Sequence, residues 1–519
     1  MSIELYPSFF NDVMAPVMLA GSSSHLAAPQ RLGLLTHFLA AGEAINKIEV
    51  IMDEEGSFAG TFGLMSEDIG MCAGAIGLPV DSPERNECHD IARECGIEVV
   101  FTKAPMKETD HLNGMKFEIT TRSGKVVSLV GDSIGGGMIQ TKKIMGFDYI
   151  YKGDINLVLV IKRDGSPTML DGLKSKITGL MDCSIDRNEN GVAYFFTTTN
   201  KPNLQELKAQ VPECEVYFLE CILPTPTLPN RKPQLFDNST KFVELSQNRP
   251  MHEIAIDYQI AATGMTREEI LKKVDELRVL MVRQVEVMAD DIDLDYMHCY
   301  GFDTGNYKRI VSGEKILDEA QYNAVKHYFS VLSMAPNTPN VGFPHGAGGG
   351  VVMSCLRAAQ IKYGFSDEKM VEGLLVAAAY GAIAYTRTDP TGETIGCAGE
   401  MGLSGVFAST ALTYILGGTP EQVESAASMA MQLAVGWPCD PIAGANGDPC
   451  TTRGMAVVTL PFTYAQLALV GHLTPLPFHE ILDVATEVAG KFDSSLLCTG
   501  RGGCAGCPTA CSLKKELGV

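Results

Sequence analysis

Long apolar runs are missing from this sequence. No continuously apolar run of about 18 or more uncharged residues stands out among its 519, so no transmembrane helix is expected. Positive charge is scarce as well. Lys and Arg number 41 against 62 Asp and Glu, a formal charge of −21. Such a surface repels phosphate backbones and anionic lipid, which argues against nucleic-acid and membrane-surface partners. The segment MSIELYPSFFNDVMAPV has no basic n-region and carries Glu4 and Asp12. No signal peptide is therefore expected, and a cytoplasmic location is. No repeat period and no low-complexity segment stands out. A mixture of 45% hydrophobic and 20% charged residues disfavours a largely disordered or collagen-like chain.

Two residue types are abundant. Glycine contributes 52 positions, above the usual ~7%. Cysteine contributes 15, an odd number. Disulfides are rare in a reducing cytosol, so these thiols are expected as core residues, catalytic groups or metal ligands.

Three regions and a linker are expected. Residues 1–150 read as an α+β domain. A helical pattern through Leu32, Leu35 and Leu39 follows Ser22-Ser23-Ser24-His25, and IEVIM, IEVVF, MKFEITT and KVVSLVG read as strands. Arg122-Ser123-Gly124-Lys125 reads as a hairpin turn. Residues 154–222 read as βαββαβ, the ferredoxin-like order of ACT modules, with a hairpin turn at Asn188–Gly191. Pro224, Pro226, Pro229 and Pro233 make 223–239 an extended linker. From 240 to 519 the pattern is mostly α-helical, with Thr419 as an N-cap and Pro420 at the first helical position.

Cys397, Cys439 and Cys450 lie in Gly- and Pro-rich surroundings beside small, apolar helices. Soft thiolates take iron and small neighbours admit a cluster, and three ligands leave one iron open as a Lewis acid. Three buried, inert cysteines are the other reading. Spacing alone favours it, because the three form no compact CxxC.

The stretch TGETIGCAGEMG…GGTPEQVESAASMAMQLAVGWPCDPIAGANGDPCTTR resembles the catalytic subunit of iron–sulfur-dependent L-serine dehydratase (L-serine ammonia-lyase). GSSSH, GSFA-x-T at Gly56–Thr61 and SIGGG at Ser133–Gly137 resemble that enzyme's regulatory, or beta, portion. The resemblance implies a [4Fe–4S] cluster on Cys397, Cys439 and Cys450. Its open iron takes the β-hydroxyl of a small β-hydroxy amino acid, most simply L-serine, which leaves as pyruvate and ammonia. It also implies oxygen sensitivity, a homodimer, and a cysteine near the C-terminus that occupies the open iron when substrate is absent; Cys507 or Cys511 is expected there.

The sequence departs from the family in places. Met65 stands where the family has a site-lining His, and a thioether carries no proton. Thr394 stands where many members have Glu, and the family's carboxylate-supporting loop corresponds loosely to Ala335–Asn340. The tail reads Cys498-x5-Cys504-x2-Cys507-Pro508-x2-Cys511, enough for a second cluster or a zinc ion, or an incidental set of thiols. His25, Thr391, His345 and Arg453 are the candidates for substrate handling. Taken alone, His25 reads as a capping histidine, Arg453 as a salt-bridge partner of Asp440 or Glu400, and SIGGG as a tight turn. Three alternative functions stay open: the same chemistry on L-cysteine or another β-hydroxy acid, a redox or sensor protein, and a regulator that binds an amino acid through the ACT-like unit.

Overall fold

The computed structural model describes residues 7–165, 173–227, 232–287, 311–332, 338–442 and 449–517. The expected helix over 168–177 lies partly outside them, as do Ala335–Asn337 of the loop.

The N-terminal region is an α+β layer. Six strands, β2 (Ile45–Asp53), β3 (Glu98–Ala104), β4 (Gly114–Thr121), β5 (Val126–Gly135), β6 (Met138–Ile144) and β7 (Phe147–Asp148), pair in the order β3-β2-β4-β5-β6-β7. Only β2 and β3 run parallel. A parallel pair needs a crossover, and helices Glu67–Ala75 and Cys88–Glu94 supply it. Alternation along β2 buries Ile48, Val50 and Met52 in the core cluster that helix Ala28–Leu39 also joins. That helix meets helix Glu67–Ala75 at backbone contact, because a Cβ on Gly74 would stand 2.0 Å from the Gln30 carbonyl oxygen. The turn at Arg122–Lys125 forms as expected, and Gly135–Gly137 is the tip of the β5–β6 hairpin.

Strands β8 (Asn156–Lys162), β9 (Leu180–Asn188), β10 (Gly191–Thr198) and β11 (Glu215–Leu219) make a separate antiparallel sheet in the order β11-β8-β10-β9. Helix Leu204–Gln210 precedes β11, and the hairpin turns between Asn188 and Gly191.

The C-terminal half is helical. Helix Asp367–Arg387 is buried from Gly373 to Tyr385 and packs against Met251–Thr263 and Leu403–Ile415. An apolar stretch without a polar face has to be surrounded, and the other helices surround it. Thr419 caps helix Pro420–Ala434 in a capping box with Gln422. Among the described residues no helix is long and apolar enough to cross a membrane.

The chain begins in the helical body. Phe9, Phe10, Val13 and Met14 belong to its core, and β1 (Val17–Leu19) pairs antiparallel with β12 (Pro339–Val341). Only then does the chain enter the α+β layer. The Pro-rich segment is partly anchored too: Leu223 and Thr225 are buried, and Thr225 N–H and Oγ1 both donate to Asn11 Oδ1.

Candidate functional site

The candidate site lies where the α+β layer meets the helical body. Cys397 follows helix Gly392–Ile395, Cys439 lies in the loop after helix Pro420–Ala434, and Cys450 opens helix Cys450–Val457. Cys397 and Cys439 are 1% and 3% exposed. The backbone closes tightly around them: a Cβ on Gly392 would stand 2.7 Å from Cys439 Sγ. Burial pushes the Cys397 thiol up to about 11. Cys450 is raised by burial and by Cys397, and Cys439 by its hydrogen bond to Cys498 and by burial. Binding of a cation would have to displace their protons. The groups of three ligand atoms within 4.8 Å of one another lie elsewhere among the described residues. A looser spacing suits a cluster, in which each sulfur binds a different iron. The donor set therefore fits an iron–sulfur cluster.

A small cleft opens beside two of these thiols, Cys397 and Cys450. Cys397, Cys450, Glu400, Tyr328 and His345 line it from the helical body, and Ser22 and Ser23 from the α+β layer. His345 Nδ1 accepts from the Ala347 N–H at 3.3 Å, so Nε2 carries the proton of a neutral ring. Burial lowers this imidazole to about 4, and Nε2 has no hydrogen-bond partner among the described residues. A buried N–H without a partner is costly unless something else accepts from it.

The other sequence candidates lie off the cleft lining. His25 is buried, with Nδ1 2.8 Å from Ser24 Oγ and Nε2 2.9 Å from Ser57 Oγ. Burial lowers its affinity for protons, and the Glu393 charge acts the other way with the smaller effect. It packs with Glu393 and Cys498, all three ligand atoms within 4.8 Å. Thr391 caps helix Gly392–Ile395, accepting from the Glu393 N–H at 2.9 Å, and its hydroxyl holds the Glu393 carboxylate. Arg453 bridges Asp440 at 2.8 Å and donates to the Pro438 carbonyl at 2.8 Å. It ties the loop of Cys439 to the helix of Cys450, the structural reading of the two.

Glu393 escaped the sequence analysis, and Glu400 entered it only as a salt-bridge partner. The signal for Glu393 was its place between Thr391 and Cys397. Burial pushes the Glu393 carboxyl up, but His25, the Thr391 hydroxyl and its own N–H bring it below the usual range. Burial and the Glu393 charge push Glu400 up to about 8. Two carboxyls sharing one buried region part in this way, because both cannot ionise cheaply.

The tail cysteines differ in their surroundings. Cys507 and Cys511 are exposed, whereas Cys498 is buried against Cys439 and Met65. The reason is backbone pairing: Cys439 N donates to Leu496 O at 2.9 Å and Cys498 N to Cys439 O at 2.7 Å. Ser57 Oγ holds the Cys498 carbonyl at 2.6 Å. The hydrogen bond to Cys439 lowers the Cys498 thiol and burial raises it, to about 12 in balance. The four tail cysteines are therefore split: Cys498 faces inward, and Cys504, Cys507 and Cys511 face solvent.

Met65 lies beside Cys439 and Cys498, as its position in the motif implied. Its loop is held by Glu67, which accepts from the Gly63 N–H at 3.0 Å, the Met65 N–H at 3.2 Å and the Thr61 hydroxyl at 2.5 Å. Burial still pushes the Glu67 carboxyl up to about 8. The folded value exceeds the unfolded one, so stability from this group is present below about pH 4.5 and is lost as pH rises through about 8, by at most ~1.4 kcal/mol per unit. Glu67→Gln should flatten the fall in melting temperature between about pH 5 and 8.5. An unchanged slope in anaerobic thermal melts would contradict this.

Comparison with known proteins gives the family. The family described as "Serine dehydratase alpha chain" matches residues 239–505, about half the chain. The L-serine dehydratase alpha chain of Peptoniphilus asaccharolyticus is 30% identical over 269 residues, 51% of this chain and 92% of the relative. The beta chain from the same organism is 24% identical over 205 residues, 38% of this chain and 90% of that one. L-serine dehydratase TdcG of Escherichia coli is 30% identical over 141 residues, 27% of this chain and 31% of the relative. Matched over half its length and built around a glycine-lined group of buried thiols, the chain belongs to the iron–sulfur L-serine dehydratase family, a family of lyases.

Proposed function

We propose that the chain converts L-serine to pyruvate and ammonia, using a [4Fe–4S] cluster held by Cys397, Cys439 and Cys450. The observation that carries the reading is the cleft, in which two of these thiols, an unpartnered imidazole N–H and a carboxyl of raised affinity for protons meet. When bound, the cluster supplies a Lewis acid that makes the β-hydroxyl a better leaving group. His345 Nε2–H donates to the substrate carboxylate. Glu400 takes the α-proton when ionised, and Glu393 stays charged through His25 and Thr391. Ser22 and Ser23 close the cleft against water. Cys498 reaches the Cys439 side of the site and guards it while substrate is absent. The sheet order β11-β8-β10-β9 supports an ACT-type, ferredoxin-like regulatory unit between an N-terminal domain and the catalytic one.

The test is anaerobic purification followed by iron and sulfide counts and a keto-acid assay. About four irons per chain with pyruvate formed from L-serine support the proposal; an iron-free anaerobic protein sinks it. Cys498→Ser is expected to keep the iron and to change the substrate-free spectrum. Cys507→Ser and Cys511→Ser are expected to change neither, and a spectral change confined to those two would return the guarding role to them.

A second reading is release of sulfide from L-cysteine. Met65 favours it, because a thioether beside Cys439 and Cys498 gives no proton to a departing hydroxide, and hydrosulfide needs one less. Sulfide release from L-cysteine faster than pyruvate release from L-serine would select it.

A further inference from the structure

A second group of metal-ligand side chains stands apart from the cleft, in the crossover between β2 and β3. Cys72 lies on helix Glu67–Ala75, and Cys88 and His89 open helix Cys88–Glu94. One ligand atom from each lies within 4.8 Å of the other two. Cys72 and Cys88 are fully buried and hydrogen-bonded to each other, and Cys88 Sγ donates to the Ile69 carbonyl at 3.5 Å. His89 sits at the rim with its side chain 37% exposed, and its Nε2 is 3.2 Å from Asp68 Oδ2.

We infer that Cys72, Cys88 and His89 form a structural zinc site, with Asp68 orienting the His89 ring. Two sulfurs and an imidazole suit zinc by softness and by number. Bonds of about 2.3 Å to sulfur and 2.0–2.1 Å to nitrogen require the three atoms to draw in slightly from their present spacing. A carboxylate on a ligand histidine fixes its orientation and basicity. Binding releases two protons, one from each thiol, and leaves a neutral Zn(thiolate)2 unit. The remaining charges balance: Asp68 is negative, and Arg85, near Cys88, is positive. His89, with its side chain 37% exposed, would leave the fourth position to water. The local core gives the site a purpose. Its buried members are the small Cys72, Ala73, Cys88 and Ala92, with Ile69, Ile76, Leu78, Ile97 and Val99 partly buried around them. An ion bridging the two helices would anchor the crossover that carries the Met65 loop.

The test uses the full-length protein, purified without chelator under anaerobic conditions and supplemented with zinc. Zinc and iron are counted by mass spectrometry, and the zinc shell is read by X-ray absorption. About one zinc per chain with two sulfurs and two lighter ligands is expected. His89→Ala, at the exposed rim, should remove most of the zinc and leave the iron count unchanged. Asp68→Asn should weaken zinc about 10- to 100-fold in competition with a chromophoric chelator. Triple substitution of Cys504, Cys507 and Cys511 by Ser should leave the zinc in place. Less than about 0.1 zinc per chain, a shell of three or four sulfurs, zinc that survives His89→Ala, or a Cys72–Cys88 disulfide in the intact mass would each overturn the inference.

Discussion

Cys439→Ala is expected to remove iron and turnover together. Anaerobically prepared wild-type protein should hold about four irons and the variant less than about one. The reason is local. Cys439 is fixed from both sides by backbone hydrogen bonds to Leu496 and Cys498, and a Cβ on Gly392 would already meet its sulfur. Among the described residues the thiol packed against it is that of Cys498, which approaches from the tail. With the Lewis acid gone, the hydroxide leaves without assistance, and pyruvate release should fall at least about a thousandfold, about 4 kcal/mol of barrier. Iron assay and pyruvate release on the same preparation check both halves. A variant that keeps its full iron complement shows that the ligand set is wrong. A variant without iron that still turns over removes the cluster from the chemistry.

The second large effect is expected at His345, and it separates substrate binding from cofactor binding. Its Nε2–H is buried, points into the cleft lining and has no protein acceptor among the described residues. His345→Ala deletes one donor to a charged group, worth about 1.5–3 kcal/mol, so kcat/KM should fall about 10- to 150-fold. The iron count and the substrate-free spectrum should not move, because no cluster thiol is hydrogen-bonded to this ring among the contacts described. Burial holds the ring neutral down to about pH 4, so the His345-dependent part of kcat/KM should be flat between about pH 5 and 8. His345→Gln, which keeps an N–H donor, should recover part of the loss. Loss of iron in His345→Ala, or an unchanged kcat/KM, would remove this residue from substrate handling.

Much of the fold was legible in the sequence because its signals are local. Thr419 and Pro420 mark a helix start by capping chemistry, and a capping box is found there. Alternation in IEVIM and MKFEITT reads as strands because side chains alternate across a sheet, and both form strands. An apolar helix without a polar face had to be interior, and helix Asp367–Arg387 is. The three cysteines were legible as candidates by composition, and as proposed ligands only through the resemblance. Spacing carried no geometric information about them, since 42 and 11 positions separate them along the chain.

What the sequence alone determined, then, was everything decided within about twenty residues: caps, strand alternation, hairpin turns, and which motif neighbours travel together. Tertiary structure decided which distant groups meet. It placed Cys498 against Cys439 and left Cys507 and Cys511 exposed, because Cys498 is held by hydrogen bonds to a loop some sixty residues away. It assigned Arg453 to Asp440 and Thr391 to Glu393, satisfying polar groups whose burial no local pattern reports. It folded Phe9 and Phe10 into the helical core ahead of the layer their sequence position suggests, because apolar rings go where area can be buried, whatever their place in the chain.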